Sequence, residues 1–572
     1  MNCSECSWRT DVTTNQQVIS SEWAPLQIAV FRAIWFASLA ANIGTWFQNV
    51  GGVWLMTRFT ASPLLIALMQ TATTLPVFLV GFPAGALADI MNRRHLLLAT
   101  QGLILVCAAA LSLLTWASLM NPPLLLGFTF VLGLGAILGN PAWQAINTEL
   151  VPADELPAAV TLSSVSYNLA RAVGPALAGL IIAVAGPAAV FLLNAIAFLY
   201  VVVVLFRWHT APHKAVLPAE RLIGAMRTGA RFVQNSPELQ TVLIRTFFFI
   251  FFISGLWALL PVIVKQDLRL GAAGYGLLLG CIGLGAVVGA AVLPQIQRAI
   301  PVVDRQVMIS TVMLAMVMIA LGYLRNLPLL CLIATIGGTA WIMLVSSFNV
   351  AAQEASPTWV RARALGAYLV VYQGGTAIGS LLWGALAALL GDPLAILLAA
   401  LGAVLGLAAG LRWHLADSEK QDLRPWHVTV PRLLIEPRLQ EGPVMVQTEY
   451  CIDPQRAEDF LRAMHEVRRM RERDGAFGWF VARDPASEER HVEAFMAESW
   501  LDYLRQLDRM TNADHATLDY ARSFHLGSAP PTVTPLIGER PNWQGMPRHL
   551  TVHVDGAIKL ANIERLKGLI GP

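Results

Sequence analysis

Two stretches of the chain, lying 205 residues apart, decide the fold. Residues 186–209 read GPAAVFLLNAIAFLYVVVVLFRWH, and residues 391–414 read GDPLAILLAALGAVLGLAAGLRWH. Each contains an apolar run of about 20 residues, which is the length that a helix needs to cross the hydrocarbon core of a membrane. Each also ends in the triplet Arg-Trp-His. The chain therefore carries membrane-spanning segments that recur at a fixed spacing.

The same spacing relates further positions without a gap. It aligns Pro123 with Pro328, Gly133 with Gly338, Glu149 with Glu354, Pro152 with Pro357, Gly174 with Gly379, and Gly179 with Gly384. Chance matches of glycine are common in apolar sequence, so the prolines, the glutamates and the Arg-Trp-His triplet carry most weight. They indicate that six spans have been duplicated in the same orientation, which is the parallel-repeat plan of one class of membrane carriers.

Apolar runs of spanning length number twelve along the chain. Their predicted limits are 28–55, 63–88, 95–118, 123–147, 161–185, 188–206, 241–264, 274–297, 306–324, 328–353, 364–389 and 393–412. The runs are rich in glycine and alanine, which is typical of helices that pack closely within lipid. We predict an all-α membrane protein of twelve transmembrane helices in two parallel six-helix repeats, followed by a smaller soluble domain.

Charge divides the chain into two parts. Residues 28–413 contain 29 charged residues in 386 positions, whereas residues 444–527 contain 27 in 84. Twelve lysines and arginines fall in the short loops on the side of the termini, against four on the other side. Because positively charged loops stay in the cytoplasm, we expect a multi-pass protein of the cytoplasmic (inner) membrane with both termini inside. The predicted domains are a cytoplasmic tail at 1–27, a first six-helix bundle at 28–206, a cytoplasmic linker at 207–240, a second bundle at 241–413, a cytoplasmic α+β domain at 444–527 and a Pro-rich tail at 528–572.

The loop between the second and third spans carries the most specific motif. It reads Gly85-Ala-Leu-Ala-Asp89-Ile-Met-Asn-Arg93-Arg94 and resembles the cytoplasmic loop signature of the major facilitator superfamily, although Ile90 replaces a basic residue and Asn92 a glycine. The resemblance implies the major facilitator fold and a cytoplasmic gate formed by the motif's glycine, aspartate and two arginines. Asp89 would face the start of span eleven, where a helix N-terminus favours an anion. The alternative is a solvated loop charge.

Two further stretches are similar to a bacterial subgroup of that superfamily, which includes the enterobactin exporter and drug:proton antiporters. They are Asn140-Pro-Ala-Trp-Gln144 with Glu149-Leu-Val-Pro152, and Asn168 to Gly179, in which Gly174, Pro175 and Gly179 resemble the antiporter motif of helix five. The resemblance implies a secondary transporter that exports an amphiphilic organic compound, such as a drug or siderophore, by alternating access and proton antiport. It implies no enzyme activity and no cofactor. An importer on the same fold stays open, because sequence does not fix direction.

Polar residues inside the spans are candidates for the substrate path. Arg171 is the only charged residue well inside a span, so we expect it to face the cavity or a polar partner such as Asn168 or Gln373. It joins helices through hydrogen bonds, contacts an anion or the substrate, or modulates a proton site. The resemblance places spans one, four, seven and ten around the cavity, and their aromatic and amide side chains suit an amphiphilic solute, although tryptophan is also typical of membrane interfaces. The candidates are Asn42, Trp46, Gln48, Asn49, Trp143, Gln144, Trp257, Trp341 and Asn349.

The sequence offers no obvious residue that could couple transport to a proton gradient. No acid lies in the middle of a predicted span, although proton-driven carriers commonly use one. Glu149 and Glu354 fall at the predicted cytoplasmic ends of spans four and ten, at equivalent positions of the repeat. Each is either a shallow protonation site or a helix-end charge paired with Arg361 or Arg363.

Residues 444–527 have the pattern of a βαββα unit. Alternating apolar residues from Val444 to Ile452 predict a strand, and apolar residues at helical spacing from Phe460 to Met470 predict a helix. The pattern resembles ferredoxin-like α+β domains of the antibiotic-biosynthesis-monooxygenase type, which implies a homodimer through this domain. Its 16 acidic against 11 basic residues disfavour nucleic acid, and its histidines lack metal-site spacing. A membrane-tethered sensor or enzyme, with this domain doing the chemistry, is the alternative to export.

Overall fold

The structure is a computed structural model, and it describes residues 23–152, 155–208, 222–415, 422–426 and 437–538. The helices of the first repeat are α1 (Ala29–Phe59), α2 (Pro63–Ile90), α3 (Arg93–Trp116), α4 (Pro122–Leu150), α5 (Leu156–Ala185) and α6 (Pro187–Arg207). A shorter helix, α7 (Leu222–Asn235), precedes the second repeat. That repeat contains α8 (Pro237–Val262), α9 (Ala272–Ala299), α10 (Val303–Tyr323), α11 (Leu327–Glu354), α12 (Arg361–Leu390) and α13 (Asp392–Gly406), followed by the single turn α14 (Ala409–Arg412).

The two repeats begin and end their helices with the same chemistry. Asn121 caps α4 and Asn326 caps α11, and each side-chain oxygen accepts a hydrogen bond from the backbone N–H three residues later, at 3.0 and 3.1 Å. Gly186 ends α5 and Gly391 ends α12, with φ of 81° and 85°, a region that glycine enters without steric cost. The prediction of two parallel six-helix repeats is confirmed.

Ten helices of the described chain are long and apolar enough to cross a membrane. The two other repeat helices, α1 and α13, fall short for separate reasons. Helix α1 carries Asn42, Gln48 and Asn49 among its apolar residues, and α13 has only 15 residues before the turn at 407–408. Both pack inside the bundle, α1 against α5 and α6, and α13 against α8 and α10.

Most of the contact between the halves is made by two pairs of helices, α2 with α12 and α5 with α9. Helices α5 and α9 meet backbone to backbone. A Cβ atom on Gly276 would lie 2.5 Å from the carbonyl oxygen of Pro175, and one on Gly179 would lie 2.6 Å from that of Ala272. Real Cβ atoms do not approach this closely, so only glycine allows this contact.

The two halves close against each other at one end of the bundle. We call the end where α1 begins the terminal face, and the end where α1 passes into α2 the opposite face. At the opposite face, Lys265 donates to the carbonyl oxygen of Thr57 and Gln266 donates to that of Ala61 at 2.8 Å. Trp54 also stacks on Tyr275 there, with ring centroids 6.1 Å apart.

One ion pair inside the second repeat is buried. Arg245 of α8 is 6% exposed and pairs with Asp304 at the start of α10. Arg245 also donates to the carbonyl oxygen of Trp413 at 3.3 Å. The pair thus ties α8, α10 and the end of the repeat together at the terminal face.

We expect Arg245→Met to lower the free energy of unfolding by about 3–5 kcal/mol, because it leaves a half-buried carboxylate without its partner. The matched control is Arg325→Met, which removes the more exposed pair of Arg325 with Asp267, at 3.2 Å, and should cost less than about 1 kcal/mol. Thermal unfolding of the purified chain in detergent compares the two variants. Equal losses would contradict the expectation.

The predicted linker at 207–240 contains ordered structure. Helix α7 lies within it, and α8 begins at Pro237, four residues before the predicted limit. Helix α7 contacts α2 of the first half and α8 and α12 of the second. Its Phe232 is buried and packs edge-on against Trp359, with ring centroids 5.8 Å apart. An amphipathic helix therefore bridges the halves at the terminal face.

A small α+β domain follows the bundle, as predicted. Its elements are β1 (Val444–Cys451), α15 (Ala457–Asp474), β2 (Phe477–Arg483), β3 (Arg490–Ala497), α16 (Trp500–Asp508), α17 (Asn512–Arg522) and β4 (Thr532–Ile537). The strands form one antiparallel sheet in the order β2-β3-β1-β4, which is the ferredoxin-like order. Tyr450 of β1 and Ile452, which follows the strand, share a core with Phe460 and Val467 of α15.

The domain extends beyond the predicted limit at residue 527. Strand β4 falls within the stretch 528–572 that the sequence predicts to be a Pro-rich tail, and it pairs with β1 along its whole length. This part of the prediction is wrong because Pro535 and its neighbouring prolines read as a coil signal, whereas an edge strand tolerates proline. Residues 1–22 and 539–572 lie outside the described residues.

The α+β domain docks on the terminal face. Arg227 and Arg231 of α7 both reach the carboxylate of Glu498, at 3.0 and 3.6 Å. The guanidinium of Arg509 lies over the ring of Trp359, 4.6 Å from its centroid. The domain therefore rests on α7 and on the loop that leads into α12.

Candidate functional site

A cavity of about 1230 Å³ lies between the halves. All six helices of the first half contribute to its walls, together with α8, α9, α11 and α12 of the second. It runs from Phe31 and Val160, near the terminal face, to Val53 and Tyr275, next to the closed opposite face. Because the opposite face is sealed, the cavity opens toward the terminal face, and its volume suits a drug-sized organic molecule.

Aromatic rings form the wall that the second half provides. Trp257 of α8 packs edge-on against Trp341 of α11, with ring centroids 5.2 Å apart, and Trp341 packs against Tyr372 of α12 at 6.5 Å. On the first half, Trp46 of α1 lies against Gly174, where a Cβ atom would be 2.7 Å from the Cβ of the tryptophan. Rings held in this way can stack on a flat organic solute.

Amides provide the polar part of the lining. Asn42 donates to the hydroxyl of Ser166 and Asn194 donates to Gln48, both at 3.4 Å, whereas Asn168 donates back to a carbonyl of its own helix at 2.9 Å. Six more amide side chains line the cavity: Asn49, Gln70, Gln101, Asn140, Gln144 and Gln373. Amides both donate and accept hydrogen bonds without adding net charge, so the site can orient uncharged polar groups.

Most of the sequence-predicted path residues line this one cavity. They are Asn42, Trp46, Gln48, Asn49, Trp143, Gln144, Arg171, Trp257 and Trp341. Asn349 is not among the described lining residues, and its side-chain oxygen accepts a hydrogen bond from Gln353 of the same helix at 2.6 Å. Their roles in transport stay predictions.

Sequence reasoning missed the lining residues on α2, α3 and α6, and those on α12 apart from Gln373. Gln70, Gln101, Asn194 and Tyr372 come from these helices, and their signal was a lone amide or phenol inside an apolar span. The resemblance directed attention to spans one, four, seven and ten. The middle sections of α2 and α12 also contribute to the wall.

The structure gives part of the loop motif a local role. Asn92 is the N-cap of α3, and its side chain accepts hydrogen bonds from the N–H groups of Arg94 and His95, which explains an asparagine in place of glycine. Arg94 donates to the carbonyl oxygens of Leu205 and Phe206 at the end of α6, at 3.2 and 2.6 Å. The side chains of residues 85–90, Asp89 included, lie outside the described residues.

The two coupling candidates lie at helix ends. Glu354 is the last residue of α11, is exposed, and is not among the described residues that line the cavity. The side chain of Glu149 lies outside the described residues. The helix-five motif is better placed, since Pro175 and Gly179 form the contact with α9 that joins the halves.

Comparison with known proteins decides the family. The family model described as transmembrane secretion effector, a major facilitator family, matches residues 20–542. The chain belongs to this family. The match covers both helical bundles and the α+β domain. The α+β domain of this transporter is therefore part of the region that the family model describes.

Two curated relatives of the transporter carry functional names. The chain is 26% identical over 369 residues to the multidrug efflux pump Tap of Mycolicibacterium fortuitum, covering 62% of this chain and 88% of the relative. It is 23% identical over 269 residues to the staphyloferrin A transporter of Staphylococcus aureus, covering 47% of this chain and 68% of the relative.

Solved structures share the fold of the transporter. The POT family transporter PepTSo matches with a TM-score of 0.56 at 10% identity, covering 69% of this chain and 99% of its own. A bacterial homologue of the human lysosomal transporter Spinster, in an inward-facing and occupied conformation, matches with a TM-score of 0.55 at 13% identity, covering 69% and 98%. The major facilitator fold predicted from the sequence is confirmed.

Proposed function

We propose that this transporter moves an amphiphilic organic compound out of the cytoplasm by alternating access, in exchange for protons. The single observation that carries the proposal is the cavity between the halves, sealed at the opposite face and lined by aromatic rings and amides. The names of the two relatives, a multidrug efflux pump and a staphyloferrin transporter, agree with an organic solute of this kind. The same cycle run backwards would be import.

The terminal face is cytoplasmic in this proposal. Twelve lysines and arginines fall in the loops on that side, against four on the other, and positively charged loops stay in the cytoplasm. The protein then lies in the inner membrane with its α+β domain inside the cell. The conformation described here is the inward-facing one, ready to load substrate from the cytoplasm.

The loop motif acts as the cytoplasmic gate in this cycle. When the terminal face closes, Asp89 at the end of α2 approaches the start of α12, where unpaired N–H groups favour an anion. Arg93 completes the contact. Gly85 lets the backbone approach, and Arg94 holds α3 on α6. The equivalent position of the second half is Pro294, so the device occurs in one half.

Protons are exchanged at helix ends on the terminal face. No carboxylate is found among the described residues that line it, so the coupling sites are Glu149 and Glu354 at the ends of α4 and α11. A site at this depth loads its proton close to the membrane surface, where the cost of ionisation is lower than at the midplane.

Everted membrane vesicles test the proposal. A respiration-generated proton gradient is followed with a quenched acridine dye while lipophilic cations, quinolones, macrolides and catecholate siderophores are added in turn. Recovery of fluorescence in wild-type vesicles, and not in vesicles that contain the gate variant Asp89→Asn, supports proton-coupled export. Transport in the same vesicles that leaves the proton gradient unchanged would remove the antiport step, and uptake only into right-side-out vesicles would mean import.

We also propose that the α+β domain forms a homodimer through the open face of its sheet. The helices cover one face, and the other exposes apolar side chains, with Phe480 52% and Leu536 42% exposed. A second copy would cover this surface. The finding favours a dimerisation domain over an enzyme, because an exposed apolar sheet face signals a partner.

Phe480→Lys combined with Leu536→Lys should convert a dimer of the full chain into a monomer, because two charges would be buried in the interface. Light scattering of the detergent-solubilised protein measures the mass. The control is Tyr520→Lys, which changes an aromatic residue on α17 that is 61% exposed. A monomeric wild type, or dimers in all variants, would exclude this interface.

A further inference from the structure

Arg171 is the one charged residue among the described residues that line the cavity. The others are amides, hydroxyls, aromatic rings and apolar side chains. In the part of the chain that the structure describes, no carboxylate forms an ion pair with its guanidinium. The cavity thus presents one cation and, among those residues, no acid to balance it.

Arg171 also lies where the two halves meet. Its carbonyl oxygen packs against α9 so closely that a Cβ atom on Gly283 would lie 2.5 Å from it. On the cavity side, Tyr372 of α12 lines the same cavity as Arg171. A ligand held at Arg171 is therefore within reach of both halves, and its binding can bias their relative position.

Electrostatics makes the sign of the ligand matter. A cation without a partner is unfavourable in a low-dielectric site, and most of all when the cavity closes and water leaves. An anion at Arg171 would cancel the charge of the guanidinium. If the anion is a carboxylate, it would also accept two parallel hydrogen bonds from the guanidinium. An organic cation would instead place a second positive charge in the same closed space.

We propose that the cavity takes amphiphilic organic anions, with the acidic group at Arg171 and the ring among Trp257, Trp341 and Tyr372, and that it rejects organic cations. The inference rests on the proposed function, since it names the substrate class of that same cavity. It assigns Arg171 a contact with substrate rather than a role in joining helices. It also predicts that, among the compounds tested in everted vesicles, acidic siderophores are better substrates than lipophilic cations.

Three probes of one shape test the inference: 1-naphthylacetate, 1-naphthylacetamide and 2-(1-naphthyl)ethylammonium. Isothermal titration calorimetry on the purified full chain in detergent, without any gradient, gives the Kd of each. We expect wild type to bind the anion at least roughly tenfold more tightly than the amide, and the amide more tightly than the cation. Arg171→Gln should weaken the anion roughly 30-fold and leave the amide within about threefold, and Arg171→Lys should keep part of the preference.

The matched control is Arg298→Gln, which removes one positive charge from an exposed position of α9 outside the cavity lining and should leave all three affinities unchanged. Wild type that binds the three probes equally, or none of them, overturns the inference, and this result does not depend on whether Arg171→Gln folds. A preference that survives in folded Arg171→Gln also overturns it. Charge-selective binding together with no movement of the anion in vesicles would instead refute the proposed export and leave the site assigned.

Discussion

Gly276→Leu should reduce transport to below about one tenth of wild type, because overpacking a tight contact costs about 1–3 kcal/mol and here the obstacle is main chain. Gly276 of α9 and Gly179 of α5 face each other, and even a single Cβ atom on Gly276 would lie 2.5 Å from the carbonyl oxygen of Pro175. No side-chain rotamer can relieve that clash. A leucine would force α5 and α9 apart at the contact on which the halves move.

Uptake of a fluorescent substrate into everted vesicles measures this effect, with the amount of protein in the membrane checked by immunoblot. Gly127→Leu in α4 is the matched control, because a Cβ atom there meets nothing within 4 Å and the same four carbons are added. The control should keep most of its activity. Full transport by Gly276→Leu would show that the halves do not need this close approach.

Asp89→Asn should abolish proton-coupled transport without loss of protein from the membrane. The neutral amide would keep the size of the side chain and lose the attraction that we propose between Asp89, the start of α12 and Arg93. An anion at a helix N-terminus together with an ion pair is worth about 2 kcal/mol in favourable geometry, which is roughly a 30-fold shift in the closed population. The cycle would then stall with the terminal face open.

Asp89→Glu is the comparison for this prediction, since it keeps the charge on a longer arm and should retain a measurable part of the transport. Acridine fluorescence in everted vesicles reports both variants. If Asp89→Asn transports normally, then the aspartate is a solvated loop charge and the gate must be sought elsewhere on the terminal face.

The duplicated architecture was predictable because equivalent helices of the two repeats begin and end with the same residue types. Asn121 and Asn326 cap equivalent helices, and Gly186 and Gly391 end equivalent helices, and such positions tolerate few residue types. Chain segments of spanning length have almost no alternative to the helix in lipid. Sequence therefore identified all twelve repeat helices.

The cavity lining was predictable only in part. Trp46 and Trp257 were found because they lie on helices that the resemblance places around the cavity. Gln101 and Tyr372 depend on which way α3 and α12 rotate and on which face of the bundle is closed, and periodicity within an almost wholly apolar helix does not determine either. Asn349 is not among the described lining residues, and its side-chain oxygen accepts a hydrogen bond from Gln353 one turn later, so its role stays a prediction.

The α+β domain shows how one residue can mislead. Pro535 cannot donate to a sheet, so β4 resembled coil until its place at the edge, beside β1, was known. The docking of this domain through Glu498 on α7 was not predictable either. The docking contact joins residues more than 260 positions apart in the sequence, and no local sequence pattern predicts a contact over that separation.

At the opposite face, mutations in the two halves differ in their effect on the hydrogen bonds that close it. Lys265 and Gln266 supply both donors, and both acceptors are main-chain oxygens, at Thr57 and Ala61. Every residue type has that oxygen, so substitutions at the two first-half positions leave the acceptors in place. Substitutions of Lys265 or Gln266 each remove a donor, whereas the stacking of Trp54 on Tyr275 requires a side chain from both halves.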